Sequence, residues 1–297
     1  MAFLQRLFKV YPGEGRRLLL FTLLAALLQA GVAVGLSIAD SIFLSRLGAS
    51  SLPIVYVIAP VAMVLFVPFL SFSTSRLGID RVFDLIQYVL VLGGLFFFVA
   101  LSGWIPALSE STIVLYLLRL YAYIWLVSLY TLFWNLVDGY FDILDAKRLY
   151  PIFGGGLSIG SAVGGGLVTL FSGALGSHWI FLIWPVVAAL SVVVAVILRR
   201  TERKIEDEPE SSEVGFFDQN SRVLKTAGRS SYVLLINVIM FGTLVLTTFT
   251  EFQYLDIFSV NRGEQELASL FGQLFLAVNL VNVVINFFLF NRIIVWI

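Results

Sequence analysis

The chain contains no cysteine and a single histidine, His178, and only 13% of its 297 residues are charged. Without cysteine it has no disulfide, no thiolate nucleophile and no cysteine metal site, and one imidazole does not build a histidine cluster. The sequence therefore argues against metal chemistry, and we expect no cofactor. Basic and acidic residues number 19 each, so the zero net charge provides no overall attraction to nucleic acid.

Hydrophobic residues, by contrast, make up 59% of the chain, and the mean hydropathy is +0.96. Soluble domains are roughly 45–50% apolar and about 25% charged. A chain this apolar has too few polar residues to cover a surface that faces water on all sides. The composition therefore excludes an ordinary soluble protein and indicates a protein of the lipid bilayer.

Eight apolar runs are long enough to cross a bilayer as helices, because about 20 residues span a hydrocarbon core of roughly 30 Å. These spans, numbered in chain order, are 18–45, 52–74, 82–102, 113–137, 151–171, 179–198, 232–253 and 267–290. Solid apolar runs favour helices over the alternating strands of a membrane barrel. We predict an all-α polytopic membrane protein of major-facilitator-like layout, with about eight transmembrane helices.

The basic residues are distributed unevenly between the two sides that these spans define. Sixteen of the 19 lie on the side of the amino terminus, whereas only Arg46 and Arg262 lie on the other, and Arg119 lies within span four. Loops rich in Lys and Arg face the cytoplasm. We therefore expect a multi-pass protein of the cell inner (plasma) membrane with a cytoplasmic amino terminus.

One long polar connection divides the chain. Its sequence includes TERKIEDEPESSE, a composition typical of a solvated linker. We predict a six-helix bundle over 1–198, a cytoplasmic linker over 199–230, and the first two helices of a second bundle over 231–297. Many transporters consist of two parallel six-span halves, so we expect that four spans of the second bundle are missing from this chain.

Four ionisable side chains stand out within or at the ends of the predicted spans: Asp40, Arg119, Asp138 and Glu251. A charged residue at the centre of a membrane helix costs roughly 2.5–3.5 kcal/mol on insertion scales, so such residues are usually paired, line a cavity or serve a function. We treat these four as candidates for substrate binding or coupling.

Span four concentrates polar and aromatic side chains on one face. Five of them fall within an arc of about 100°: Arg119, Tyr123, Tyr130, Trp134 and Asp138. Such a stripe suits a polar pathway, in which Arg119 binds a carboxylate or phosphate and the rings stack on a planar ligand. The same pattern arises if Arg119 only pairs with Asp40 or Glu251 and the aromatics only pack, and the sequence does not separate the two interpretations.

Span five contains Gly156, Gly160 and Gly164 at strict four-residue spacing. Small residues at this spacing form a smooth helix face on which a second helix backbone approaches closely. A phosphate-binding loop needs a preceding strand and a GK[ST] sequence, and both are lacking. The glycines therefore predict helix packing.

Residues 133–156, FWNLVDGYFDILDAKRLYPIFGGG, resemble the signature of the ATP/ADP translocase family of bacterial and plastid nucleotide transporters. The segments 12–17 (PGEGRR), 43–58 (FLSRLGASSLPIVYVI) and 266–275 (ELASLFGQLF) are also similar to bacterial members. The resemblance implies a twelve-span carrier that exchanges nucleotides. It also places Asp145, Lys147 and Arg148 at the charged positions of the motif, where we interpret them as a cytoplasmic gate.

The chain departs from this family at Ala39, since the ATP exchangers carry a basic residue before the aspartate of span one. Arg119 is the only cation within the spans, and the candidate carboxylates weighed against it are Asp40, Asp138 and Glu251. We expect a secondary active transporter that moves a nucleotide or a related anionic solute by alternating access. Two alternatives stay open: a proton-coupled carrier of a non-nucleotide organic solute, and a non-transporting membrane scaffold or sensor.

An enzyme is not expected. Hydrolases and transferases within lipid need clustered His or Cys, or paired Asp at helical spacing, and the middle of the predicted spans contains no such cluster. The expected partners are the lipid bilayer and a small molecule such as ATP or ADP.

Overall fold

A computed structural model describes residues 10–11, 13–205 and 230–289, without the side chains at 143, 144, 146, 147 and 288. Within these residues all regular secondary structure is helical, and eight helices are long and apolar enough to cross a membrane. The predicted all-α polytopic class is confirmed. Most of the predicted linker, 206–229, lies outside the described residues.

The eight long helices follow the predicted spans, with some differences in their ends. They are α1 (Gly15–Leu47), α2 (Leu52–Leu77), α3 (Ile79–Leu101), α4 (Thr112–Asp138), α5 (Ile143–Phe171), α6 (Ile183–Thr201), α7 (Ser231–Ser259) and α8 (Glu264–Val284). Short helical turns lie at Ala49–Ser51, Pro106–Ser109 and Ser177–Phe181, and α8 continues into a π-helical turn, Ile285–Leu289.

The start of α5 differs from the sequence prediction by eight residues. The helix begins at Ile143 because the Asp142 carboxylate caps it, accepting a hydrogen bond from the Asp145 backbone N–H at 2.7 Å. Pro151, predicted as the first residue of the span, lies inside the helix. Asp145 and Arg148 therefore occupy the first turns of a helix rather than a connection.

Helix α1 lies at the centre of the bundle and contacts α4, α5, α6 and α8. Its side chains from Leu24 to Leu44 are almost all buried, as expected for a helix that is surrounded by others. Most of α7 is exposed, with Leu255 as its buried residue among those described. A large apolar surface of this kind suits contact with lipid.

Helix α5 packs directly on the backbone of α1, as its glycine spacing predicted. A Cβ added at Gly156, Gly160 or Gly164 would overlap the main chain of Thr22, Ala26 or Ala30, respectively. These α1 partners are also four residues apart, so the two helices run side by side through successive turns. The predicted role of the three glycines in close helix packing is confirmed.

Helix α8 approaches the other side of α5 just as closely. A Cβ added at Gly165 would lie 2.5 Å from the Gly272 carbonyl oxygen, and one added at Gly272 would lie 2.7 Å from the Gly165 oxygen. Asn286, in the π-helical turn, donates a hydrogen bond to the Ser158 hydroxyl at 3.2 Å. Helix α8 is therefore joined to the first six helices mainly through α5.

Candidate functional site

We name the two ends of the bundle after the Arg46 and Arg148 side chains. Helix α1 begins at the Arg148 end and finishes at the Arg46 end. Asp40, Arg119 and Glu251 each lie seven or eight residues from the Arg46 end of their own helices. At 1.5 Å per residue this is a depth of about 10–12 Å, so all three charges lie well inside the apolar spans.

Arg119 joins three helices at this depth. Its guanidinium in α4 forms an ion pair with Asp40 of α1, and its Nη2 atom lies 3.1 Å from Oε1 of Glu251 in α7. The Tyr123 hydroxyl, one turn along α4, donates a hydrogen bond to the same Glu251 oxygen at 3.4 Å. The structure thus brings together four of the predicted site residues.

These four residues line a cavity of about 470 Å³ between α1, α4, α7 and α8. The remaining wall is largely apolar and aromatic, formed by Leu36, Leu126, Tyr254, Phe258, Phe271, Leu274, Phe275, Val278 and Asn279. Small-molecule sites have this character: an apolar cleft of roughly 300–1,000 Å³ with a few polar groups. The cavity therefore has the size and lining of a candidate small-molecule site.

The three charged groups differ in how far they are exposed. The Arg119 side chain is 1% exposed and that of Asp40 is 12% exposed, whereas that of Glu251 is 27% exposed. The Nε atom of Arg119 is buried and has no hydrogen-bond partner among the described residues. Glu251 is therefore the most accessible charge of the cluster, and the guanidinium lies behind it.

Two tyrosines near Glu251 were not anticipated from the sequence. Tyr56 of α2 lies within electrostatic range of Glu251, and its buried hydroxyl has no hydrogen-bond partner among the described residues. Tyr254 lies three residues after Glu251 and lines the cavity. Its spacing of about one helical turn was a usable signal, whereas nothing in the sequence links Tyr56 to α7.

The half of the predicted α4 stripe nearer the Arg148 end is not part of the cavity. The Tyr130 side chain is 43% exposed. The Trp134 ring packs on the Tyr150 ring at 4.9 Å between centroids, and Asp138 accepts a hydrogen bond from the Tyr150 hydroxyl. Since α4 is about 40 Å long, one face passes from the cavity at one end to α5 at the other.

The predicted gate residues form a separate cluster at the Arg148 end. Arg148 forms ion pairs with Glu14, which directly precedes α1, and with Asp145 of its own helix. The hydrogen bonds from Arg148 hold the pKa of Glu14 below its ordinary value. The sequence interpretation missed Glu14, although it lies in a segment that carried the resemblance. The Lys147 side chain lies outside the described residues.

Further ion pairs join α3 to the end of α6 at the same end of the bundle. Arg199 contacts the Asp84 carboxylate at 2.8 Å, and Lys204 contacts that of Asp80 at 2.6 Å. Tyr140, in the α4–α5 connection, lies beneath Lys204, and burial raises its pKa to about 12. These contacts connect elements of the first six helices to one another.

No family model matches the chain, and no curated protein or solved structure is significantly similar to it. Function is therefore inferred from the geometry of the cavity and from the residues that line it. Among the described residues, no group of three His, Cys, Asp or Glu side chains is arranged to hold a metal ion.

Proposed function

We propose that the protein is a secondary carrier of the inner membrane that moves a small organic solute by alternating access, with the Arg119 cavity as its binding site. Because the sequence resembles nucleotide transporters, ADP and ATP are the first substrates to test. The observation that carries the proposal is the buried Arg119, held by carboxylates from two other helices on the wall of a cavity. Charges retained in an apolar region at such a cost commonly mark solute or ion pathways.

The Arg119–Glu251 contact supports a coupling between binding and motion. It is an ion pair between the first six helices and α7, and α7 has little other buried surface. A solute that binds to either partner competes with this contact and so weakens the attachment of α7 to α4. Binding energy is then converted into a change in helix arrangement, as population-shift models require.

The contacts at the Arg46 end indicate which end of the bundle is closed. There, Arg46 of α1 contacts Glu264 of α8, and α7 touches the Ala49–Ser51 turn. With the basic side in the cytoplasm, we infer that this arrangement is closed to the outside.

The experiment is solute counterflow into proteoliposomes that contain the purified protein. Labelled ADP, ATP and a series of aromatic amines are offered to vesicles loaded with the same unlabelled solute. We expect accumulation of at least one solute by the wild type and at least a hundredfold loss of the initial rate in Arg119→Ala. Arg200→Ala, which removes an exposed arginine that does not line the cavity, is the control and should retain the wild-type rate.

Two outcomes contradict the proposal. Equal counterflow by the wild type and Arg119→Ala removes the buried cation from the mechanism. Absence of counterflow for the entire series favours a scaffold or sensor. Because Arg119→Ala leaves two unpaired carboxylates, its insertion and folding are checked by size-exclusion chromatography before the rates are compared.

A further inference from the structure

We infer that the solute of the Arg119 cavity carries one positive charge beside an aromatic or apolar body, and that Glu251 receives that charge. This inference rests on the proposed carrier function and specifies its substrate class. It also separates the protein from the exchangers of highly charged nucleotides that its sequence resembles.

The first argument is the accessibility of the charges. An entering solute meets Glu251 before the guanidinium, because the side chain of Glu251 is 27% exposed and that of Arg119 is 1% exposed. Arg119 and Tyr123 both bind Oε1 of Glu251, whereas Oε2 accepts no hydrogen bond from any described residue. The available polar atom on the wall is therefore a carboxylate oxygen, whose natural partner is a cationic donor.

The second argument is the charge balance of the cavity wall. Among the described residues that line it, the Asp, Glu, Lys and Arg residues are Asp40, Arg119 and Glu251, whose formal charges sum to minus one. A solute with one positive charge brings this cluster to neutrality. A nucleoside triphosphate, with about four negative charges, would raise the net negative charge in a medium where uncompensated charge is costly.

The third argument is the nature of the remaining wall. The Tyr123 ring lies 5.5 Å from the Arg119 guanidinium carbon, so this ring already holds one cation at its face. Tyr254 lines the cavity one turn beyond Glu251, and its ring centroid is 6.0 Å from that of Phe258. Aromatic faces attract organic cations, and the same rings accommodate an apolar body.

A pair of probes with the same shape and opposite charge tests the inference directly. Saturable binding of tetraphenylphosphonium and of tetraphenylborate is measured on the purified protein in nanodiscs, with excess unlabelled probe to define membrane partitioning. We expect saturable binding of the phosphonium cation only. No saturable binding of the cation, or binding of the borate anion at equal or higher affinity, overturns the inference.

Variants assign the charge preference to Glu251. Glu251→Gln should weaken cation binding by at least about tenfold, as expected for a lost contact to a charged group, and Glu251→Asp should retain part of it. Asp256→Asn removes an exposed carboxylate from the same helix and is the matched control, with unchanged affinity expected. Equal affinities for the wild type and Glu251→Gln overturn the assignment.

Variants of Tyr254 test the same cation site if Glu251→Gln does not fold. Tyr254→Leu removes the aromatic face without changing any charge, and Tyr254→Phe keeps the face. We expect a several-fold loss of cation affinity in the first variant and little change in the second. Equal affinity in both variants contradicts a cation held at the aromatic wall.

Counterflow distinguishes failure of this inference from failure of the proposed function. If ADP shows counterflow but the cation does not bind, the carrier function is supported and the inference of a cationic substrate is overturned. If cation binding depends on Glu251 but no solute shows counterflow, the cation site is supported and the carrier function is overturned.

Discussion

Arg46, at the end of α1, and Glu264, at the start of α8, form an ion pair with 3.3 Å between Nη2 and Oε2. Arg46 also donates a hydrogen bond to the Ser109 carbonyl at 2.8 Å, which holds the guanidinium above the cavity end of the bundle. The pair links the first six helices to the last two at the surface, about 10 Å from the Arg119 cluster. We therefore consider it a closing contact.

A double-mutant cycle measures this contact. Since both side chains are about one-third exposed, we expect a coupling energy of about 0.2–1 kcal/mol between Arg46→Ala and Glu264→Ala. Thermal unfolding of the detergent-solubilised protein provides the free energies, and high salt should reduce the coupling. Glu266→Ala is the control partner, and a coupling of Arg46 to Glu266 as large as that to Glu264 would contradict the assignment.

The close packing of α5 on α1 predicts that an added methyl group at the contact destabilises the protein, and α5 also offers a control position. Gly160→Ala places a methyl group against the Ala26 backbone, so we expect a destabilisation of about 1–3 kcal/mol. Gly166→Ala has its nearest neighbour, Leu276 Cδ1, at 3.9 Å, and we expect no loss, or a gain of up to about 1 kcal/mol. Melting curves in detergent compare the two variants, and equal stability of the two would show that the contact between α1 and α5 tolerates a methyl group.

The Glu14–Arg148 contact predicts a pH dependence of stability. Arg148 lowers the pKa of Glu14 from 4.5, so the folded protein binds this proton less tightly than the unfolded chain. The stabilisation is complete above about pH 4.5 and is lost as the pH falls through the lower folded-state pKa.

Glu14→Gln should therefore be less stable than the wild type at pH 7, by about 1 kcal/mol or less because water screens the pair. The difference should shrink as the pH falls below about 4.5. Melting temperatures at several pH values check this, with Glu110→Gln, an exposed carboxylate at the other end, as the control. If the difference in melting temperature grew on acidification, the contact would not stabilise the protein through the ionised Glu14 carboxylate.

The proposed orientation is tested by cysteine labelling, which needs no prior removal of native thiols because the chain has none. Ser50 is exposed at the Arg46 end, and Ser75 is exposed at the Arg148 end. In intact cells, a membrane-impermeant maleimide should modify Ser50→Cys and spare Ser75→Cys until the membrane is permeabilised. The reverse pattern would place the amino terminus outside.

Much of the architecture could be predicted from the sequence, because a helix in lipid satisfies its own backbone hydrogen bonds and its length follows from the bilayer. The glycine spacing of α5 likewise predicted close packing, since a helix face is determined by local periodicity. The start of α5 was harder to predict. The Asp142 cap lies in a polar segment that hydropathy alone assigns to a connection.

The candidate site was only partly predictable. Asp40, Arg119 and Glu251 stood out because charges are rare in apolar spans, but their pairing depends on the rotation of three separate helices. For the same reason, one face of α4 that appears continuous in the sequence divides between the cavity and the packing contact with Tyr150. Tyr56 carries no local signal, since only the position of α2 brings it near Glu251.

The sequence by itself thus determined that this protein is a bundle of membrane helices with a few costly charges inside, because hydrophobicity and helical periodicity are properties of short segments. Only the tertiary structure decided that Arg119 lies behind Glu251 on a cavity wall and that α5 holds both α1 and α8. Those relationships depend on helix rotation, depth and mutual approach, which are determined by packing between segments distant in the chain.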